Sequence, residues 1–548
     1  MTSTVAKYRQ TADLLNRILD QPGLSAIIKH LDAGLLTRLI LHVGLEDSGP
    51  IVSQASPKQL KAVFDEDLWQ RGAPGRAELF DAARFGLWLN IMMENGPDFA
   101  ARRILEIDED LLILGMCRLV HVEGIHPLEM FGEDDYRPEY GRRPDGVSEE
   151  SLNQVVSDFH LISKDDSSWE AILELILYLD ETQNDTLVRL LRRCSRICET
   201  CDDEHEGLLR KFSGQEMLEA DVAAERENRK ESRGFVTPVS AALFLAQSRN
   251  TSLNRIVAEK RMPHAAGLYV RAAEAETVSI KEARASDSEA SESTRKEMTV
   301  FIETLREAEV LPAVSQQKLG YDDPDFGAGY LPLTGAMRLI KGSAPDLYAR
   351  RIMELSYLSN ALISGCGFRG REFRPQEAAE AALSVCNLGS EYLFEAAALS
   401  EREETLSEFI TALIKTDHLI HLFRVGWKIL YDRVILAAAK CVLGLLDRLD
   451  GEISEPEQRR EIDRMARSLR AGISCGRPWN IQEEIDYLQV FLDGETTEAL
   501  GGLIQEFPAL PTAICRKGNV RLSSCIWSHE QIRMLRQFLE EVPERRFQ

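Results

Sequence analysis

The sequence has no run approaching the eighteen or more apolar residues of a membrane span. Its best stretch, Val434 to Leu446, is short and contains Lys440, so no membrane insertion is expected. The segment Met1 to Leu19 lacks an uninterrupted apolar core and a small-residue cleavage site, and carries Lys7, Arg9, Asp13 and Arg17. No signal peptide is expected there. Basic charge is in deficit, with 65 Lys and Arg against 89 Asp and Glu, a formal charge of -24. Such a field repels phosphate backbones and anionic headgroups, which argues against nucleic acid as a partner. The 10 histidines are scattered, and clean two-residue alternation is scarce, Val520 to Trp527 being the one passable strand. Without an export signal, 10 cysteines read as reduced thiols rather than a disulfide framework, and the cytoplasm is the expected compartment.

What is present is ordinary globular composition, 44% hydrophobic and 28% charged, with 35 Gly and 20 Pro. At about 150 residues per domain, the length of 548 implies three or four packing units. Apolar residues recur at three- and four-residue steps, as in Trp169, Ile172, Leu173, Leu175, Ile176 and Leu179 behind caps at Ser167 and Ser168. The expected class is therefore all-α. Capping boxes, in which a cap side chain and the N3 side chain bond each other's backbone, are read at Ser213 with Glu216, Ser400 with Glu403, Asn480 with Glu483 and Ser528 with Gln531.

Within the first 120 residues a turn recurs. Leu31-Asp32, Ala55-Ser56 and Ile107-Asp108 each place an apolar residue before a cap. Leu36, Leu60 and Leu112 follow four residues after the cap, and Ile40, Phe64 and Met116 eight after it, on one helical face. Units of this kind must stack to bury their faces, giving an irregular helical-repeat, solenoid-like N-terminal region followed by helical-bundle units. The irregular spacings of 24 and 52 residues leave a second reading open, ordinary amphipathic helices that coincide. Asp134 to Glu150 is Pro-, Gly- and charge-rich, and Ala285 to Thr294 is Ser- and acid-rich. The expected divisions are a repeat domain over 1–133, an exposed loop over 134–150, a central helical unit over 151–275, a mobile linker over 276–297 and a C-terminal helical domain over 298–548.

Several motifs suggest chemistry. Cys194, Cys198 and Cys201 have the spacing of an iron-sulfur ligand set, and His205 follows. Leu191, Cys194, Cys198, Cys201, His205, Leu208 and Phe212 also follow a strict 3,4 alternation, which places the thiols in the apolar seam of one helix. From Cys194 to His205 such a helix runs about 16 Å, so the four cannot close on one ion. Core packing is the expectation, with a zinc shared with a partner helix as the alternative. Gly365 to Gly370 matches the dinucleotide pattern GxGxxG, but Ala349 to Ser364 reads as helix where that fold needs a strand, so the glycines are expected to cap a helix and form a loop. Gly472 to Gly476 matches a nucleophile elbow around Ser474, with Asp493 and His529 downstream, yet Glu461 to Arg470 reads as helix. Glu123 and His126 form an isolated Glu-x-x-His pair, and Asp417, His418 and His421 are expected as packed or rim residues.

Three passages resemble a known family: Val43 to Trp69 (VGLEDSGPIVSQASPKQLKAVFDEDLW), Leu358 to Leu393 (LSNALISGCGFRGREFRPQEAAEAALSVCNLGSEYL) and Leu422 to Trp427 (LFRVGW). They are similar to an uncharacterised bacterial family, domain of unknown function 6178, from about Leu14 to the last helices. Ser390 and the Ala285 to Thr294 stretch depart from the family's pattern. The resemblance implies a bacterial, mostly helical, cytosolic protein and carries no catalytic assignment. The Leu31, Ala55 and Ile107 turns more loosely resemble the helical-repeat N-terminal domain of magnesium transporters and of the flagellar motor switch protein, a likeness of fold alone.

The expected function is a non-enzymatic helical scaffold or regulatory protein that binds another protein through an acidic surface, with no cofactor. The alternative is an enzyme or a cation or small-molecule sensor with a site between helices, for which Asn360, Arg369, Arg371 and Glu391 are the candidate binding residues. The oligomeric state is not legible in the sequence.

Overall fold

The computed structural model describes residues 14–125, 152–199, 213–285, 300–307, 329–397, 405–515 and 524–544, apart from single positions at 22, 71, 306, 454 and 480. Helices dominate, as the periodicity implies. The chain divides into two compact units, each discontinuous in sequence: residues 1–71, 78–229 and 283–313, and residues 72–77, 230–282 and 314–548. The central stretch 151–275 thus contributes to both units. Sequence periodicity marks helices but not which ones share a core, so it carries no signal for this division. The Asp134 to Glu150 loop lies outside the described residues, as does nearly all of Ala285 to Thr294.

The first unit opens with α1 (Leu24–His30), α2 (Ala33–Val43), α3 (Gly49–Val52) and α4 (Pro57–Asp67). A hairpin of β1 (Trp69–Gln70) and β2 (Leu79–Phe80) follows, then α5 (Ala82–Glu94), α6 (Pro97–Leu105) and α7 (Glu109–Leu119). The recurring turns are helix starts. Asp32 caps α2 through the amide of Gly34 at 2.9 Å, Ser56 forms a capping box with Gln59, and Asp108 caps α7 through the amide of Asp110. Leu36, Ile40, Leu60, Phe64, Leu112 and Met116 are all buried. Gln59 also shows how neighbouring helices join: its Nε2 donates to the carbonyls of Ile28 and Leu31, each at 2.7 Å, at the C-terminal end of α1. A helix end needs such partners for its free carbonyls.

After α7 the chain forms a three-stranded antiparallel sheet that the sequence reading missed. Its order is β3 (Val120–Gly124), β5 (Phe159–Ser163), β4 (Asn153–Val156). Strands of four and five residues are too short for alternation to stand out, and Ile162 interrupts it on β5. The expected strand is absent where described: residues 524–527 are not extended in a ladder, and 520–523 lie outside the described residues. Next come α8 (Trp169–Glu199), with non-helical backbone at Gln183, and α9 (Gly214–Ser232), which the first unit takes as far as Arg229. Ser213 and Glu216 make the expected capping box. Arg226, 2% exposed, bonds the Asp65 carbonyl and Glu78 and lies over the Trp69 ring at 4.7 Å. That combination satisfies a buried guanidinium by charge, hydrogen bond and ring face.

The second unit contains α10 (Pro238–Asn250), α11 (Leu253–Ala258), α12 (His264–Ala285) as far as Glu282, α13 (Pro332–Ser343) and α14 (Pro345–Gly365). A hairpin of β6 (Gly367–Phe368) and β7 (Arg371–Glu372) leads to α15 (Pro375–Ala397), α16 (Leu406–Thr416) and α17 (Leu419–Leu430). A single π-helical turn, Tyr431–Ile435, joins α17 to α18 (Leu436–Glu452), and α19 (Pro456–Ser474), α20 (Gln482–Leu488), α21 (Gly494–Leu503), α22 (Thr512–Cys515) and α23 (His529–Glu541) complete the unit. The core centres on α14, α15 and α17, whose buried residues include Leu358, Leu362, Cys386, Leu388, Phe423 and Trp427. The Ser528 and Gln531 capping box opens α23 as expected. At the start of α16 the box is Thr405 with Glu408; Ser400 and Glu403 lie outside the described residues, as does Asn480.

Candidate functional site

The candidate binding residues of the second unit do not converge. Asn360 donates to the Tyr269 hydroxyl at 3.2 Å. Arg371 grips Glu377 with two nitrogens, at 2.8 and 2.7 Å, and the Arg371 hydrogen bond holds the Glu377 carboxyl at about 2. Glu391 accepts from the Asn387 side chain at 3.1 Å and from the His529 amide at 2.9 Å, while burial pushes its pKa above the ordinary carboxylate value. Each of these three has a local side-chain or backbone partner, and Arg369 borders a cleft.

Arg369 owes its place to the hairpin. A helix ends at Gly365, so no strand enters the glycine pattern and no helix N-terminus follows it closely, which removes the dinucleotide geometry. Arg369 and Gly370 instead form the turn between β6 and β7 with φ of 51° and 74°. Two successive positive φ values suit a tight antiparallel hairpin. Glycine adopts them freely, whereas a side chain such as that of Arg369 costs about 1–2 kcal/mol there. Two contacts hold the turn: the Gly367 amide donates to Glu506 at 2.5 Å and the Arg369 amide to Gln505 at 3.2 Å. The guanidinium stands 5.3 Å from the Phe368 ring centre.

From there Arg369 borders a cleft of about 820 Å³ formed with α20, α21 and the segment leading into α22. Ile485, Ala499, Ala509 and Leu510 supply its apolar surface. Exposed Glu495 and Glu498 stand on its rim, and Val490, 73% exposed, follows the lining residue Gln489 in sequence. Sequence reading missed α20 and α21 as lining elements, since neither carries a motif. Apart from Thr497 and Thr512 the lining has no hydroxyl, thiol or imidazole nucleophile.

The cysteine seam of the first unit is also partly described. Leu191, Cys194 and Cys198 are buried on α8, which is described to Glu199; Cys201 and His205 lie outside the described residues. What the sequence did not reveal is who meets them. Cys117 on α7 donates its thiol to the Cys194 carbonyl at 3.9 Å and interacts with the Cys198 thiol, which His121 on β3 also reaches. His121 Nε2 lies 3.2 Å from Glu123, and His160 Nδ1 3.6 Å from the same carboxylate. Glu123 thus pairs with His121 on its own strand and with His160 across the sheet, while His126 lies outside the described residues. The Cys117 bond, followed by burial, pushes Cys198 up to about 12. Burial opposes charge on His121, but Cys198 and Glu123 outweigh it and raise the imidazole to about 9. Protonated thiols in an apolar seam are poor nucleophiles. Among the described residues no group of three or more His, Cys, Asp or Glu side chains is placed to hold a metal ion.

The remaining motifs resolve locally. Ser474 is the last residue of α19, and its hydroxyl donates to the Arg470 carbonyl at 2.9 Å, so no strand feeds an elbow there. His529, far from serving Ser474, bonds Glu395 at 2.8 Å. Asp417 and His421 are buried partners 3.0 Å apart, and His418 reaches Glu354. No helix among the described residues is long and apolar enough to cross a membrane.

Neither a curated protein nor a solved structure matches the sequence. A family model does match, over a narrower range than the resemblance: it takes in the passage Val43 to Trp69, whereas Leu358 to Leu393 and Leu422 to Trp427 lie beyond it. Over residues 8–193, then, the chain is similar to the family of unknown function DUF6178.

Proposed function

We propose that this chain is a non-enzymatic, cytosolic interaction protein that takes an extended peptide segment of a protein partner into the cleft beside Arg369. The observation that carries this reading is the lining of that cleft. An apolar floor of Ile485, Ala499 and Leu510 suits one or two apolar side chains of a guest, and Glu495 and Glu498 suit a Lys or Arg beside them. Arg369, kept in a strained turn, offers the guest a carboxylate or backbone carbonyl partner. A chain of net charge -24 also steers a basic segment toward it. The candidate binding residues lend the enzyme or sensor reading no support, because Asn360, Arg371 and Glu391 are each bonded to a different neighbour.

The test is to pan a displayed library of random peptides against the full chain and against Glu495→Lys/Glu498→Lys. Wild type should enrich peptides that combine basic and apolar residues, and the double variant should bind them at least tenfold more weakly with an unchanged melting temperature. Equal enrichment on both proteins would reject the reading.

A further inference from the structure

The first unit carries a surface of opposite sign. On α8, beyond the non-helical Gln183, four arginines fall within eight residues: Arg189, Arg192, Arg193 and Arg196. Leu187, Leu190, Leu191, Cys194 and Cys198 occupy the buried face of this half-helix, so the 3.6-residue repeat turns Arg189, Arg192 and Arg196 outward. The arginines border a depression of about 460 Å³, together with Asn184, Asp185 and the half-buried Val188.

Their partners divide them into two pairs. Arg189 reaches Glu109 at 3.3 Å, and Arg193 reaches Glu109 at 3.0 Å and also Asp110, so the first turn of α7 neutralises these two. Arg192 and Arg196 have no carboxylate within ion-pair distance among the described residues. They lie four residues apart on one face, about 6 Å along the axis, and like charges so placed repel each other by a few tenths of a kcal/mol. A bound anion relieves that repulsion. In a chain with 24 more acidic than basic side chains, a cluster of four guanidiniums, two of them without an ion-pair partner among the described residues, is a local excess of positive charge.

We propose that this arginine face of α8 is a docking surface for an acidic segment of a partner protein. Three observations select that occupant over other anions. The overall charge of -24 opposes a long polyanion or an anionic membrane, whose many charges interact with the whole protein, whereas a segment with few carboxylates meets mainly the local field within a Debye length of about 8–10 Å. The spacing of Arg189, Arg192 and Arg196 at three and four residues matches carboxylates at the same spacing on an apposed helix. Val188 gives the guest an apolar contact that a phosphate backbone does not use. This surface is separate in sequence and charge from the cleft beside Arg369 and does not depend on that reading.

The probe is a fluorescent peptide of about a dozen residues with Glu at three- and four-residue spacing, titrated against the full chain by anisotropy at about 0.1 M salt. Its all-Gln counterpart, a single-stranded oligonucleotide and phosphatidylserine vesicles serve as the other arms. The expected result is binding of the Glu peptide to wild type and to E495K/E498K, loss of at least tenfold in Arg192→Glu/Arg196→Glu, and retention in Arg192→Lys/Arg196→Lys. Both arginines are exposed, so the variants should melt as wild type does. Absence of Glu-peptide binding, equal binding by the charge-reversed variant, or stronger binding of the oligonucleotide or the vesicles would each overturn the proposal.

Discussion

Gly389 and Gly426 face each other where α15 crosses α17. A methyl group on Gly389 would be driven into the Leu422 carbonyl, and one on Gly426 into the Val385 carbonyl. Neither obstacle is a flexible side-chain end; both are helix backbone. The two helices therefore approach as closely as they do because both positions lack Cβ, and the buried residues Cys386, Leu388, Phe423 and Val425 pack around the crossing. Gly389→Ala and Gly426→Ala should each destabilise the second unit by about 1–3 kcal/mol or more, since an added methyl in a close-packed core must push elements apart. Urea unfolding of each variant measures this. A change within a few tenths of a kcal/mol would show that the helices can separate freely.

That crossing also shows what the sequence disclosed. Both glycines lie in passages that stood out on reading, Leu358 to Leu393 and Leu422 to Trp427, yet nothing in either passage says that they meet. Helical class, the caps at Asp32, Ser56 and Asp108, and the buried seam at Cys194 and Cys198 were legible because they depend on spacing within one segment. The sheet was not, because pairing Val122 with Leu161 is a relation between distant residues on strands of five. The cleft was hidden for the same reason: Arg369 and Glu498 are 129 positions apart, and only the fold places them on one opening. Asn360, Arg371 and Glu391 were grouped by proximity in sequence, but separate helices and a hairpin turn them toward different partners.

Acid should weaken the second unit through Asp417. Burial works against its charge, but hydrogen bonds from His421 and Lys260 prevail and hold the carboxyl at about 2. The unfolded chain binds that proton near 3.9, so the stabilisation is complete above that value and is lost as pH falls toward 2. Asp417→Asn should lower the melting temperature at neutral pH and flatten the part of the stability curve between about pH 4 and 2. Melting curves of both proteins across that range decide the matter, and parallel acid limbs would contradict it.

Thiol labelling should follow the described burial. Cys475 is exposed, whereas Cys117, Cys194, Cys198, Cys366 and Cys386 are buried. Burial raises the pKa of Cys366 and Cys386 well above the ordinary thiol value, and the Cys194 contact raises Cys117. Brief treatment of native protein with iodoacetamide at pH 7.5, followed by peptide mass spectrometry, should show Cys475 modified and those five protected until denaturant is added. Early modification of Cys198 would mean that the seam opens or that its thiol is activated.

The His121 and Glu123 pair makes the opposite pH prediction to Asp417. Burial disfavours the imidazolium, but its bonds to Cys198 and Glu123 overcome this and raise it to about 9. The unfolded ring titrates near 6.5, so the folded state binds the proton more tightly. The resulting stabilisation is fully present below about 6.5 and disappears as pH rises through 9. Glu123→Gln removes one of the two favourable partners, so the His121 titration, followed by NMR of its ring protons in the full chain, should move down toward the ordinary value, and the melting temperature should depend less on pH between 7 and 9. His121 is only 5% exposed but Glu123 is 38% exposed, so the wild-type titration should move down partway, without reaching the ordinary value, between 0.05 and 0.5 M NaCl. A wild-type ring that titrates at its ordinary value, or one that ignores the loss of Glu123, would show that the sheet leaves this imidazole in a solvent-like setting despite its burial.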